Sequence, residues 1–137
     1  MIELQDESAA RGLLRRFSNF DDGLLVEIGV EFPRGERTGT VELHILGQEP
    51  GSPAPDDGWR SVLLRLEACT TFLFSEDRTS YQVLADGLGL DRLPDGTWFV
   101  DLAPFTDADV PAADRRANSA QYCVGHRLFS AVEPYRK

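Results

Sequence analysis

Apolar residues recur at every second position along several stretches of this chain. The longest such stretch is residues 59–74, WRSVLLRLEACTTFLF, which holds neither Gly nor Pro. In an extended chain, successive side chains point to opposite faces. Val62, Leu64, Leu66, Ala68, Thr70, Phe72 and Phe74 then share one face, and Leu63, Arg65, Glu67, Cys69, Thr71 and Leu73 the other. A helix would wrap apolar residues around the whole cylinder, so the pattern predicts a half-buried strand, or two strands joined by a bend near residues 67–69.

The flanks supply partners for it. Residues 24–32 alternate Leu24, Val26, Ile28, Val30 and Phe32 against Leu25, Glu27, Gly29 and Glu31, and Pro33 ends the run. After the turn PRGERTG, residues 40–46 repeat the pattern, with Val41, Leu43 and Ile45 on one side and His44 on the polar side, which predicts a hairpin. A second hairpin is predicted from residues 88–93 and 97–102 around the turn Pro94-Asp95-Gly96. A short strand around Tyr81, Val83 and Ala85, or alternatively one helical turn, precedes it. Residues 120–135 read as a final strand, with Gly125 marking a bulge or bend.

Helical signals are few. Residues 6–17 predict a short helix capped by Asp6 or Ser8, with an apolar stripe of Leu13, Leu14 and Phe17. The segments SNFDDG (18–23) and GQEPGSPAPDDG (47–58) carry turn and loop chemistry, and residues 103–119 form an irregular acidic connection with room for one helical turn from Pro111. Strands joined by turns, with helices nearly absent between them, predict a mainly β (β-rich α+β) fold. The expected architecture is an antiparallel, curled sheet of about six or seven strands, a sandwich or open barrel, with one or two short helices. The 137 residues fit one domain, 1–137, and no repeat or linker divides them.

Composition narrows the function. With 14 Lys+Arg against 23 Asp+Glu the net charge is −9, a field that repels phosphate backbones and argues against nonspecific nucleic-acid binding. It suits a basic protein partner, or serves solubility alone. Lys137 is the only lysine, and the Arg, Ala, Gly and Asp usage suggests a GC-rich bacterial genome. No apolar run approaches the roughly 20 residues of a membrane span. The start MIELQDESAARG lacks the apolar core of a secretory signal, so the expected location is the cytoplasm. In that compartment Cys69 and Cys123 are expected as buried free thiols, a disulfide requiring adjacent strands of matching geometry.

Catalytic chemistry finds little support. His44 and His126 show no metal-ligand spacing, so no metal site and no cofactor are expected. Asp21 and Asp22 could supply paired carboxylates, but the turn they occupy explains both. Cys123 and His126, three apart in a strand, point to opposite faces. No nucleophile elbow or phosphate-binding loop occurs, and the expectation is a non-enzyme with no catalytic residues. Aromatic residues at strand ends and turns are the better candidates for an interaction surface or cleft: Phe20, Trp59, Tyr81, Trp98 and Tyr122, with Asp21 and Asp22 beside them.

The order of features resembles a group of small bacterial β-rich proteins of unknown function, some of which neighbour polymorphic toxins as immunity proteins. The matching features are Phe20-Asp21-Asp22 before the first strand, the hairpin strand 41–45, the apolar-Arg-apolar core 62–66 and the terminal strand after Ser119. The group often carries His before the aspartate, where this chain has Phe20. The resemblance implies a non-catalytic, β-rich interaction protein of immunity type. Two roles follow as expectations: an acidic surface that caps a basic protein, or a β-barrel or sandwich that holds a small ligand in an apolar cleft lined by Trp98 and Tyr81. Open sheets leave unpaired edges, so monomer and homodimer both remain open.

Overall fold

A computed structural model describes residues 1–53, 57–74, 83–84, 86–104, 119 and 121–135. It is mainly β, with two antiparallel sheets and no closed barrel. The elements are β1 (Ile2–Glu3), helix α1 (Glu7–Arg16), a 3-10 turn (Ser18–Phe20), β2 (Gly23–Glu31), β3 (Gly39–Gln48), β4 (Trp59–Cys69), β5 (Thr71–Leu73), β6 (Val83–Leu84), β7 (Gly89–Arg92), β8 (Trp98–Asp101), β9 (Tyr122–Gly125) and β10 (Arg127–Pro134). The strands outnumber the sequence expectation because β1, β5 and β6 span only two or three residues and because two long runs break at a corner. Among the described residues no helix is long and apolar enough to cross a membrane.

The six-stranded sheet has the order β1-β10-β4-β3-β2-β6, and the four-stranded sheet β5-β9-β8-β7. Both expected hairpins form: β2 pairs with β3, and β7 with β8. The second is closed by Asp95, whose Oδ1 accepts from the Thr97 hydroxyl at 2.6 Å and the Thr97 N–H at 3.0 Å, with Gly96 at φ +87°. Asp6 caps α1 by accepting the Ala9 N–H at 2.8 Å, and the buried residues Ala10, Leu13 and Phe17 dock that end of the chain on the core.

The sheets meet at a corner made by two bent strands. β4 runs into β5, and β9 runs into β10, so residues 59–73 and 122–134 pair antiparallel on both sides of the bend. Ala68 turns the first strand at φ 52°, and the Thr70 N–H donates to Val124 O while the His126 N–H donates to Glu67 O. Strands that switch sheets through a bulge are a known way to build such a corner. Gly125 is required there: a Cβ would lie 2.6 Å from Leu66 Cγ and 2.9 Å from Glu67 O.

Bulges also correct the expected faces. β2 slips by one residue between Leu25 and Glu27, so Leu25 is buried while Val26 is 61% exposed, against the even-numbered face read from the alternation. Past the corner Cys69, not Ala68, is buried, and residues 122–134 change their inward set from Cys123 to Leu128. One core results, in which Val41, Leu43, Val62 and Leu64 of the larger sheet share a cluster with Trp98 and Val100 of the smaller.

Two glycines separate crowding from helix propensity. Gly125→Ala is expected to lower unfolding free energy by about 1–3 kcal/mol through overpacking at the corner. Gly12→Ala, in the exposed face of α1 with nothing within 4 Å of the new methyl, is expected to raise it by about 0.5–1 kcal/mol. Urea titration of the two variants against the parent checks both signs.

Candidate functional site

The aromatic residues flagged by the sequence separate into core and surface. Phe20 is 1% exposed, stacked on Phe17 with ring centroids 4.9 Å apart. Trp98 is also 1% exposed, and Arg92 lies over its ring at 5.1 Å. Both rings are buried among the described residues rather than exposed on the surface. A large aromatic next to a turn falls inside when the turn folds over the core, and the left-handed run Ser18, Asn19 and Phe20 does this to Phe20. Tyr122 is half-buried and stacked on the buried Phe99 at 5.1 Å. Tyr81 lies outside the described residues. Asp21 and Asp22 are exposed in the turn, where the Asp22 N–H donates to Leu84 O at 2.9 Å.

Trp59 alone joins a larger surface. Its cross-strand partner is Gln48 on β3, and it follows the same outward alternation as Ser61, Leu63 and Arg65. These residues belong to the outer face of the six-stranded sheet, opposite the core. No described element packs on that face. The pairing stacks its side chains in cross-strand rows. Leu24, Leu46, Ser61 and Glu133 form one row, and Glu27, His44, Leu63 and Ala131 the next. A shallow groove of ≈ 370 Å³ crosses the rows, lined by Val26, His44, Leu46, Ser61, Glu133 and Tyr135.

The charges on this face are unevenly compensated. Arg65 reaches Glu42 at 2.6 Å, and Arg127 reaches Glu3 at 3.2 Å and Glu67 at 3.6 Å while covering the Phe129 ring at 4.9 Å. Among the described residues, no ion pair involves Glu27, Glu31 or Glu133. The groove therefore combines an apolar floor with the carboxylate of Glu133, and Glu27 stands beside it in the adjacent row; neither has an ion-pair partner among the described residues.

A second surface escaped the sequence reading. Phe32, Phe72 and Phe74 bring their rings together, Phe72 lying 5.4 Å from each of the other two. Phe72 is 43% exposed and Leu73 47%, on the edge strand β5. The expected alternation of Phe72 and Phe74 was the available signal. Phe32 joins them only because the β2–β3 hairpin reaches the sheet corner.

Among the described residues the histidines and cysteines do not gather into one site. His44 lies in the outer groove and His126 at the exposed corner near Asp95. Cys69 and Cys123 are fully buried and unbridged; burial pushes both thiols up, and for Cys123 the nearby Cys69 adds to it. Such thiols hold little of the nucleophilic thiolate. Among the described residues no three potential ligands cluster around a metal position. No family model matches the chain, and no curated protein and no solved structure matches it.

One buried acid carries a pH signature. Asp101, 4% exposed, accepts from the Ser119 hydroxyl at 2.6 Å and the Ala103 N–H at 3.0 Å. Burial raises its pKa above the usual 3.8, against the pull of those two hydrogen bonds, and Asp91 adds to the rise. The folded protein then keeps a proton that the unfolded chain releases, so this group's contribution to stability is complete in acid and declines as pH rises past 3.8. Asp101→Asn is expected to flatten that decline, whose slope for one group is at most about 1.4 kcal/mol per pH unit. Urea unfolding of both proteins from acid to neutral pH reads the difference in slope.

Proposed function

We propose that this protein is a non-catalytic binding module of the bacterial cytoplasm whose outer sheet face takes a basic protein partner. The form suggested by the sequence resemblance is an immunity-type role, the capping of a basic toxin. The observation that carries this reading is the open face itself, where exposed Val26 and half-buried Leu46, Leu63 and Trp59 sit among Glu27, Glu31 and Glu133, which have no arginine partners among the described residues. Apolar contact supplies affinity, while a surplus of one charge speeds association with an opposite surface and selects against acidic partners. The net charge of −9 acts in the same direction at longer range.

A small apolar ligand is the second reading. It is favoured by a groove of ≈ 580 Å³ between α1 and the β1–β10 edge, lined in part by Ile2, Leu4, Leu13 and Val132.

Affinity capture from bacterial lysate tests the first reading, using the parent and a Glu27→Lys/Glu31→Lys/Glu133→Lys variant at about 0.05 M and about 0.5 M salt, where screening shortens severalfold. The expected outcome is one basic protein retained by the parent at low salt, released at high salt and not retained by the variant. Retention indifferent to both salt and charge reversal would sink the reading.

A further inference from the structure

We propose that the groove on the outer face recognises an extended basic segment through two cations spaced about four residues apart, one at Glu133 and one at Glu27. This deepens the basic-partner reading and rests on it. Glu133 sits in the cross-strand row of Leu46 and Ser61, and Glu27 in the adjacent row of His44 and Leu63. The two glutamates are separated by three strand spacings and one row. At roughly 4.8 Å per strand and roughly 7 Å per row, their backbones lie about 16 Å apart.

That separation decides the chemistry. It is far too wide for one metal ion, whose oxygen ligands lie at about 2–2.6 Å. It is equally too wide for one guanidinium, which pairs at about 3 Å. Two cations on one extended segment fit. Residues four apart in a strand point to the same side and span about 13 Å, and the long Arg or Lys side chains cover the remainder.

The floor between the glutamates suits those side chains. Leu46 and Val26 offer apolar surface on which the methylene stems of Arg or Lys lie while their charged heads reach outward. Ser61, His44 and the Tyr135 ring line the same groove and supply polar contacts to a peptide backbone. The cations already on this face do not compete there. Arg65 is held by Glu42 in the next row, and Arg127 by Glu3 and Glu67 beyond it. The groove end of the sheet is therefore where an incoming cation meets carboxylates with no ion-pair partner among the described residues.

Trp59 makes the test direct. It is half-buried on the same outer face, two residues from Ser61, whereas Trp98, the other tryptophan, is sealed in the core. The probe is a synthetic ten-residue peptide of alternating Val and Ser with Arg at two positions four apart. Its controls are the same peptide with adjacent arginines and with Glu for Arg. The expected result is a saturable change in tryptophan emission that the Glu peptide does not produce. It weakens at about 0.5 M salt and is lost in Trp59→Phe. In Glu27→Gln/Glu133→Gln the peptide binds roughly five- to twentyfold more weakly, as two exposed charge pairs allow. Thermal melting confirms that these surface variants remain folded.

Equal affinity for the parent and the double Gln variant, or for spaced and adjacent arginines, overturns the two-cation groove and leaves the basic-partner reading standing. Absence of binding by the spaced peptide, with a basic protein still captured from lysate, also overturns the groove alone. If neither peptide nor basic protein binds, both fall.

Discussion

The rest of this structure depends on the corner at which two strands pass together from one sheet to the other. Ala68 adopts a left-handed conformation that costs a non-glycine residue about 1–2 kcal/mol, and Gly125 packs its backbone against Leu66 where no side chain fits. That cost is small beside what the turn permits. Leu66, Cys69, Cys123 and Leu128 are all at or near complete burial around it, and a large apolar side chain contributes about 1.5–3 kcal/mol when fully removed from water. Without the bend, the four-stranded sheet would continue the plane of the six-stranded one and leave both inner faces half covered. The left-handed backbone is tolerated because the core on both sides over-determines it.

This corner also marks where the chain's periodicity stops being readable. The helix cap at Asp6, both hairpins and the turn at Asp95–Thr97 follow from local chemistry, and each appears as the residue pattern predicts. The bend near residues 67–69 was legible as a break in the strand. The faces beyond each bulge were not, because a single extra residue inverts every later side chain and only the cross-strand register shows where it was inserted. Of the candidate interaction residues, Trp59 was legible as a surface position because a strand's first aromatic stays at the rim, whereas Phe20 was drawn inside by a run of left-handed backbone. Glu27 and Glu133 looked like ordinary solvated positions. Their interest lies in which glutamates have arginines opposite them, a property of pairing across strands distant in sequence.

The distribution of those arginines matters little for stability. Exposed ion pairs such as Arg65–Glu42 and Arg127–Glu3 contribute about 0–1 kcal/mol each, too little to hold the sheet together. What they change is the local field. At one end of the outer face they offset part of the carboxylate charge, and at the groove end nothing described offsets Glu133 or Glu27. A surface with its arginines gathered at one end and carboxylates alone at the other would orient an approaching positive partner before contact, and orientation is where a charged rim has most influence on association.

The edges explain why a partner would come to the face rather than extend the sheet. Among the described residues β1 and β6 each cover only two residues of their neighbours, so most of the six-stranded sheet's edge is formed by β10 and by β2, where Glu133, Glu27 and Glu31 place charge against the addition of another strand. In the smaller sheet β7 carries Asp91 and Arg92. The three-residue β5 exposes an uncharged edge, and there the Phe32–Phe72–Phe74 cluster stands beside it. Recognition through a face relies on side chains instead of backbone hydrogen bonds, so its selectivity is set by charge and shape. A self-pairing through β5 would bring together two chains of net charge −9 and strengthen as salt screens their repulsion, whereas attachment of a basic segment to the outer face weakens. The sign of the salt dependence thus separates the two surfaces by physics alone.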